Sequence, residues 1–259
     1  MISILAARFR DYNFLFEELV KRDFKKRYKG TFLGILWSML EPLLQLLVMV
    51  LVFTHFFGRD TPHFIVYVFS GLLVFGFFRD STGQGMQSLM VNKGIFNKIK
   101  VPKYLFLFSK NVSSLINFWL TLVIFFIFVA LDGIRFYPQF FLLIYPIITL
   151  TIFNIGVGLI LSALFVFFKD IKYLYSIFTR MLMWLSAIFY TVDSFSIEVQ
   201  RLFLLNPVFA HIHYFRLIVL FGQIPAWHIH LICAAYATTA LGLGAWFYKK
   251  YNYRFVYYM

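Results

Sequence analysis

The sequence predicts an all-α, polytopic membrane protein of a single domain, 1–259, with six transmembrane helices and an amphipathic interface helix ahead of the first. Three observations carry that prediction. Hydrophobic residues make up 61% of the 259-residue chain and charged residues only 14%, with a mean hydropathy of +0.79, too little polar surface for a soluble domain of this size. The apolar residues gather into runs long enough to cross a hydrocarbon core of about 30 Å. The basic residues cluster on one of the two sides that those runs define.

Taken in order, Met1 to Arg10 holds only a short apolar stretch before Arg8, too short for the apolar region of a secretory signal, so insertion uses the helices themselves. Tyr12, Leu15, Phe16, Leu19, Val20 and Phe24 then recur at helical spacing, with Glu17, Lys21 and Lys25 on another face. This predicts an amphipathic helix within 1–33 that lies on the membrane surface. Spans follow near 35–57, 64–84, 111–131, 139–168, 171–192 and 228–248, the fourth long enough to tilt or break. The connection 85–110 carries helix breakers and five lysines. The connection 193–227 is apolar, and Asn206 and Pro207 supply an N-cap and first position for a helix that Gly222 and Pro225 close. That helix is about 22 Å long, too short to cross.

Charge fixes an orientation. Eight Lys/Arg precede the first span, five lie in 85–110, two in 169–172 and three after 248, against Arg59, Arg135, Arg201 and Arg216 on the other side. The positive-inside rule places both termini in the cytoplasm. The net charge of +13 is thereby explained by topology and anionic membrane lipid, and nucleic acid is not required as a partner.

Several chemistries are missing. No Gly-x-x-x-x-Gly-Lys-Ser/Thr phosphate loop occurs, so any ATP energy comes from another subunit. His211 with His213, and His228 with His230, are spaced so that each pair splits across helix faces, and no carboxylate or cysteine cluster completes a metal site. Lone Cys233 builds no disulfide within the chain and reads as a packing residue. No acid/base pair is nominated, and no catalytic residue is assigned.

Ionisable residues inside apolar helices are the strongest functional signal, because each costs on the order of 3 kcal/mol if it faces lipid. Glu41, followed by Pro42, shares an arc of about 60° with Gly34, Ser38 and Gln45. That polar face either packs against neighbouring helices or walls a permeation path. Arg79 and Arg180 fall at a depth similar to Glu41, about 9 to 12 Å; either the three form one charged layer, a gate or a reader of an anionic head group, or the two arginines snorkel to the interface. Trp37, Trp184 and Tyr190, with Tyr173 and Tyr175, are aromatic candidates for stacking on sugar rings.

Several segments together resemble the membrane subunit of ABC-2 type polysaccharide exporters, the permeases for O-antigen, capsule and teichoic acid-like polymers. They are Lys26-Arg27-Tyr28-Lys29 with Leu33-Gly34-x-Leu36-Trp37-x-x-Leu40-Glu41-Pro42, then Asn92-Lys93-Gly94-Ile95-Phe96-Asn97 with Pro102, Phe168-Lys169-Asp170-Ile171, and Leu205-Asn206-Pro207-Val208. The resemblance implies short extracytoplasmic re-entrant helices before the last span, within 193–227. It implies a bacterial cytoplasmic (inner) membrane location, a homodimer bound to two copies of a separate nucleotide-binding subunit, and a lipid-linked polysaccharide as substrate. No cofactor is expected on this chain; ATP and Mg bind the partner ATPase. Asn92, Lys93, Gly94, Phe96, Asn97, Lys98 and Pro102 would form the coupling segment that docks on that ATPase. Trp37, Glu41, Gln45, Arg79, Arg180, Trp184 and Tyr190 are the candidates for the path or gate, though Arg180 matches no family motif. Two other readings remain beside this one: an ABC-2 exporter of drugs or lipids, and a membrane-embedded glycosyltransferase, for which the outer segments offer little beyond Asp132, Asp193 and Glu198. No internal symmetry suggests the inverted repeats of a secondary transporter.

Overall fold

The computed structural model describes residues 2–52, 62–96, 101–192 and 195–258, the side chains of 2–11, 256 and 257 excepted. Every regular element among the described residues is helical. Helix α1 (Ile2–Tyr28) is followed by a 3-10 turn, Gly34–Leu36, that runs into α2 (Trp37–Leu51). Long helices α3 (Phe64–Val91) and α5 (Tyr104–Leu131) flank the single turn α4 (Lys93–Phe96). A second 3-10 turn, Pro138–Leu143, opens α6 (Ile144–Phe167), and α7 (Ile171–Leu185) follows. Then come α8 (Ile197–Phe203), α9 (Pro207–Val219), α10 (Trp227–Tyr251) and the turn α11 (Phe255–Tyr258).

Helix α3 is the pillar. Its sequence is apolar on every face, from Phe64 through Phe78, as suits a helix enclosed by protein or lipid, and here it is enclosed by protein. It packs on α5 and α6, and α10 closes on the far side of α6. There the backbones touch: a Cβ on Gly156 would sit 2.3 Å from the Ala240 carbonyl carbon, and one on Gly244 would sit 2.4 Å from the Gly156 oxygen. Small residues permit this approach, which gains dispersion where lipid offers no hydrophobic drive.

Among the described residues, five helical segments are long and apolar enough to cross a membrane, Gly34–Leu51, Phe64–Val91, Tyr104–Leu131, Pro138–Phe167 and Trp227–Tyr251, and the bent pair Ile197–Phe203 with Pro207–Val219 makes a sixth if it is one span. The remainder of the expected first span lies outside the described residues. Two expectations need correction. The connection expected over 85–110 is mostly helix: α3 continues to Val91 because Gly85 packs beside Gly158 of α6 instead of breaking the helix, and Asn92 ends it, its side-chain amide donating to the Ser88 carbonyl at 2.7 Å. The fifth expected span, 171–192, is a helix of only 15 residues, about 22 Å long, which turns inward at Ser186.

The inward turn has a physical cause. Arg216 of α9, only 4% exposed, donates from Nη1 to the Ala187 carbonyl (2.9 Å) and from Nη2 to the Ile188 (3.1 Å) and Tyr67 (3.1 Å) carbonyls. Its guanidinium carbon also sits 3.5 Å from the centre of the Tyr67 ring. The Ala187 and Ile188 carbonyls are free to accept because 187–190 is not helical, and Ala187 adopts φ +47°; the Tyr67 carbonyl belongs to α3. Helices α8 and α9 meet at 109°, a bend that fits either a broken span or a re-entrant loop. Asn206 caps α9 as expected, its Oδ1 accepting from the Val208 (3.0 Å) and Phe209 (3.3 Å) amides, while its Nδ2 donates to Ser186 Oγ at 3.0 Å. One end of the bundle thus gathers α1, α4, the end of α3 and the start of α5, and is called the α1 end below. The opposite end holds α8, α9 and the His63–Asp132 pair (2.7 Å).

Candidate functional site: a polar cavity at the α1 end

The chain leaves α1 through Gly30 at φ +80°, a conformation that favours glycine, and re-enters helix at Gly34. This return brings α2 alongside α3 and α5, and a cavity of about 430 Å³ opens between them and the end of α1, a size typical of small-molecule sites. Ser38, Glu41 and Gln45 line it, so the polar arc of α2 faces this cavity. Pro42 lies inside α2 and lines it too; lacking an amide proton, it cannot satisfy the Ser38 carbonyl one turn back.

A charged network forms the cavity's back wall. Arg27 Nη1 pairs with Asp80 Oδ2 at 2.7 Å, and Asp80 Oδ1 accepts from Gln84 Nε2 at 2.9 Å. The Asn117 amide satisfies both neighbours when its oxygen accepts from Arg27 Nη1 (2.5 Å) and Nε (3.2 Å) and its nitrogen donates to the Tyr28 hydroxyl (2.7 Å). Burial opposes the Arg27 charge, but Asp80, with smaller help from Tyr28 and Glu41, outweighs it and holds that guanidinium's pKa above its ordinary value. Burial likewise raises the Tyr28 phenol. Arg27 therefore stays charged and Tyr28 neutral throughout the physiological range.

Of the residues nominated from sequence, Trp37, Glu41, Gln45 and Arg79 come together in this cavity. Arg180, Trp184 and Tyr190 do not. The expected three-member charged layer is reduced to Glu41 and Arg79, because Arg180 belongs to α7, whose packing partners are α6 and α3 and which leaves Arg180 exposed. Among the described residues, none of Glu41, Arg79 and Arg180 forms an ion pair. Trp184 and Tyr190 stand toward the opposite end, the Tyr190 hydroxyl donating to the Trp184 carbonyl at 2.8 Å. Lys93 and Gly94 are exposed on α4, while Asn92 is buried beneath them and Phe96 packs edge-on against Phe106 with ring centres 4.8 Å apart. Pro102 is half-buried just before α5; Asn97 and Lys98 lie outside the described residues.

Sequence reasoning missed Asp23, Asp80 and the latch made by Arg216. The burial-cost argument applied to Glu41 would also have flagged Arg216, which sits within an apolar helix. His211 is fully buried, with Nδ1 2.7 Å from the Pro207 carbonyl and Nε2 3.2 Å from Thr149 Oγ1. Among the described residues no group of His, Cys, Asp and Glu is arranged to hold a metal ion. The cavity presents amides, hydroxyls, the carboxylates of Glu41 and Asp80, guanidinium groups and the rings of Trp37, Phe77 and Phe118. It can bind and orient a hydroxyl-rich or charged ligand.

Comparison with known proteins agrees with this architecture. The chain is 28% identical over 201 residues to the O-antigen export system permease protein RfbA of Myxococcus xanthus, covering 76% of each chain. It is 26% identical over 249 residues to the RfbA protein of Klebsiella pneumoniae, covering 93% of this chain and 95% of that one. It is 23% identical over 195 residues to the polysialic acid transport protein KpsM of Escherichia coli, covering 74% of this chain and 76% of the other. The family model for the ABC-2 type transporter matches residues 15–220, most of the chain and nearly all the elements described above, so this protein belongs to the ABC-2 type transporter family.

Proposed function

We propose that this chain is the membrane subunit of an ATP-driven exporter that carries a lipid-linked polysaccharide across the bacterial cytoplasmic membrane. The observation that carries this reading is the nearly end-to-end similarity to O-antigen export permeases. Two copies of the chain form the conduit and two copies of a separate ATPase subunit bind ATP and Mg; this chain binds and conducts without catalysing. Both termini face the cytoplasm, so the α1 end is the cytoplasmic end and the Arg216-latched hairpin is extracytoplasmic. The exposed α4 turn, with Lys93 and Gly94 outermost, offers the ATPase its docking surface.

The cavity serves as the cytoplasmic wall of the path. Its rings stack on the apolar faces of sugars, while Glu41, Gln45 and Arg79 exchange hydrogen bonds with passing hydroxyls. Glu41 and Arg79, exposed and without an ion pair among the described residues, suit a moving polymer, because each contact must be released as easily as it forms.

The test is to purify the chain from its own host's membranes and to delete it there. An ATPase bearing a phosphate loop should co-purify, Lys93→Glu should reduce that recovery, and deletion should leave the lipid-linked glycan inside the cell. Absence of an ATPase, or normal surface glycan with altered drug or lipid efflux, would replace this reading with one of its alternatives.

A further inference from the structure

Helix α1 presents an apolar face to α5, and the residue at the centre of that face is a carboxylate. Asp23 is only 1% exposed at its side chain. Burial of this kind is expensive for an ion unless cations and hydrogen bonds surround it. Arg22 Nη2 lies 2.8 Å from Asp23 Oδ1, and Lys110 Nζ of α5 lies 3.1 Å from the same oxygen. The Ser109 hydroxyl lies 3.1 Å from Oδ2.

The arrangement is not confined to two helices. Consecutive residues on a helix do not ordinarily face each other, yet Arg22 folds back onto Asp23. It does so while Nη2 also donates to Asn92 Oδ1 at 2.8 Å, a residue 70 positions further along the chain. Asn92 holds the corner between α3 and α4 from both sides: its amide donates to the Ser88 carbonyl of α3, and its own carbonyl accepts from the Ile95 amide at 2.9 Å to begin α4. One carboxylate therefore connects α1, the α3–α4 corner and α5. Further along, Tyr28 and Arg27 tie α1 to Asn117 of α5, so the two helices are fastened at two points and α5 leads from the first to the cavity.

We propose that Asp23 is a positioning residue, the pin that makes α1, the coupling corner and α5 move as one body, and that it passes displacement of α4 into the cavity wall. The inference rests on the reading of α4 as the segment that docks on an ATPase. A displacement of α4 shifts Asn92, Asn92 draws Arg22, and the shared carboxylate carries the movement to Lys110 and α5. Without the pin, α4 can move while α1 and α5 stay behind.

The experiment reconstitutes the complete transporter, this chain with its ATPase, and measures assembled complex, ATP hydrolysis per complex and polymer exported per ATP. Asp23→Asn keeps the shape and removes the charge that holds both cations. It should leave ATP hydrolysis per complex within about twofold of the parent while export per ATP falls by about fivefold or more. Asp23→Glu, which restores the charge, should recover at least part of that loss. Arg22→Ala cuts the arm to Asn92 but leaves the Asp23–Lys110 pair; it should uncouple in the same sense and keeps the test valid if Asp23→Asn fails to assemble. Export per ATP unchanged in Arg22→Ala, or lost in Asp23→Asn only in proportion to lost complex, would overturn the pin. A parent chain that exports without any ATPase would overturn the functional reading and the pin together, and is distinguished by the parent measurement alone.

Discussion

Helices α2 and α3 both pass for transmembrane segments, and their surroundings are opposite. Of the most apolar 18 residues of α3, 78% are buried inside the bundle; for the segment Gly34–Leu51, which contains α2, the share is 6%. The buried helix is the less hydrophobic of the two. Hydropathy reports that a helix lies in the membrane, and the small and hydroxylated residues report which helix the others gather around. Ser70, Ser81, Thr82, Gly85 and Ser88 of α3 are buried: Ser70 and Thr82 return their hydroxyls to carbonyls of their own helix, Ser81 donates to Asn111 of α5, and Gly85 permits the close approach of α6. Leu44, Leu47, Val48 and Leu51 of α2 are exposed and suit lipid or a second copy of the chain.

The comparison can be broken most severely in the packed half. Gly156→Leu should prevent the α6–α10 crossing, at a cost of at least about 3 kcal/mol. Loss of the monodisperse peak in detergent chromatography checks it, and a folded, stable variant would show that the backbone contact is dispensable. Arg216→Met should cost about 3 kcal/mol, since the non-helical Ala187 and Ile188 carbonyls lose the guanidinium that donates to them while the volume is nearly kept. A drop in thermal unfolding temperature and faster proteolysis between α7 and α8 would be the signature.

The bare half should respond differently. Glu41→Gln should leave stability within about 0.5 kcal/mol of the parent, because the group is exposed and makes no ion pair among the described residues, while lowering export of the polymer. Equal loss of stability and export would make it a packing residue instead. Smallest of all, Leu47→Ala should change the stability of the isolated chain by no more than about 0.5 kcal/mol. A larger change that depends on protein concentration would mean that a second copy covers α2.

Much of this fold is legible in the sequence because apolar runs of membrane length have few alternatives once every backbone group must be bonded internally. The amphipathic face of α1, the cap at Asn206 and the polar arc of α2 are also readable, since each depends on local spacing. The illegible part depends on partners distant in sequence. Glu41, Arg79 and Arg180 drew attention as charges in apolar helices, and all three are exposed. Among the described residues, Asp23 and Arg216 are the acid and the arginine that are buried, and for both the partners are not readable from local spacing. Asp23 lies in a charged run whose periodicity hides it, and Arg216 is satisfied chiefly by carbonyl groups, which carry no residue identity. The early end of α7 is hidden for the same reason, because it exists to present those carbonyls.

The backbone contact between Gly156 and the Ala240–Gly244 stretch has a consequence for biosynthesis. Helix α6 is made long before its tightest partner, and α10 lies beyond the matched family segment near the end of the chain. During translation α6 must wait in the bilayer with its glycine face open until α10 is inserted. A premature stop anywhere before residue 240 would leave that face permanently uncovered, a surface by which membrane quality control can recognise an unfinished chain.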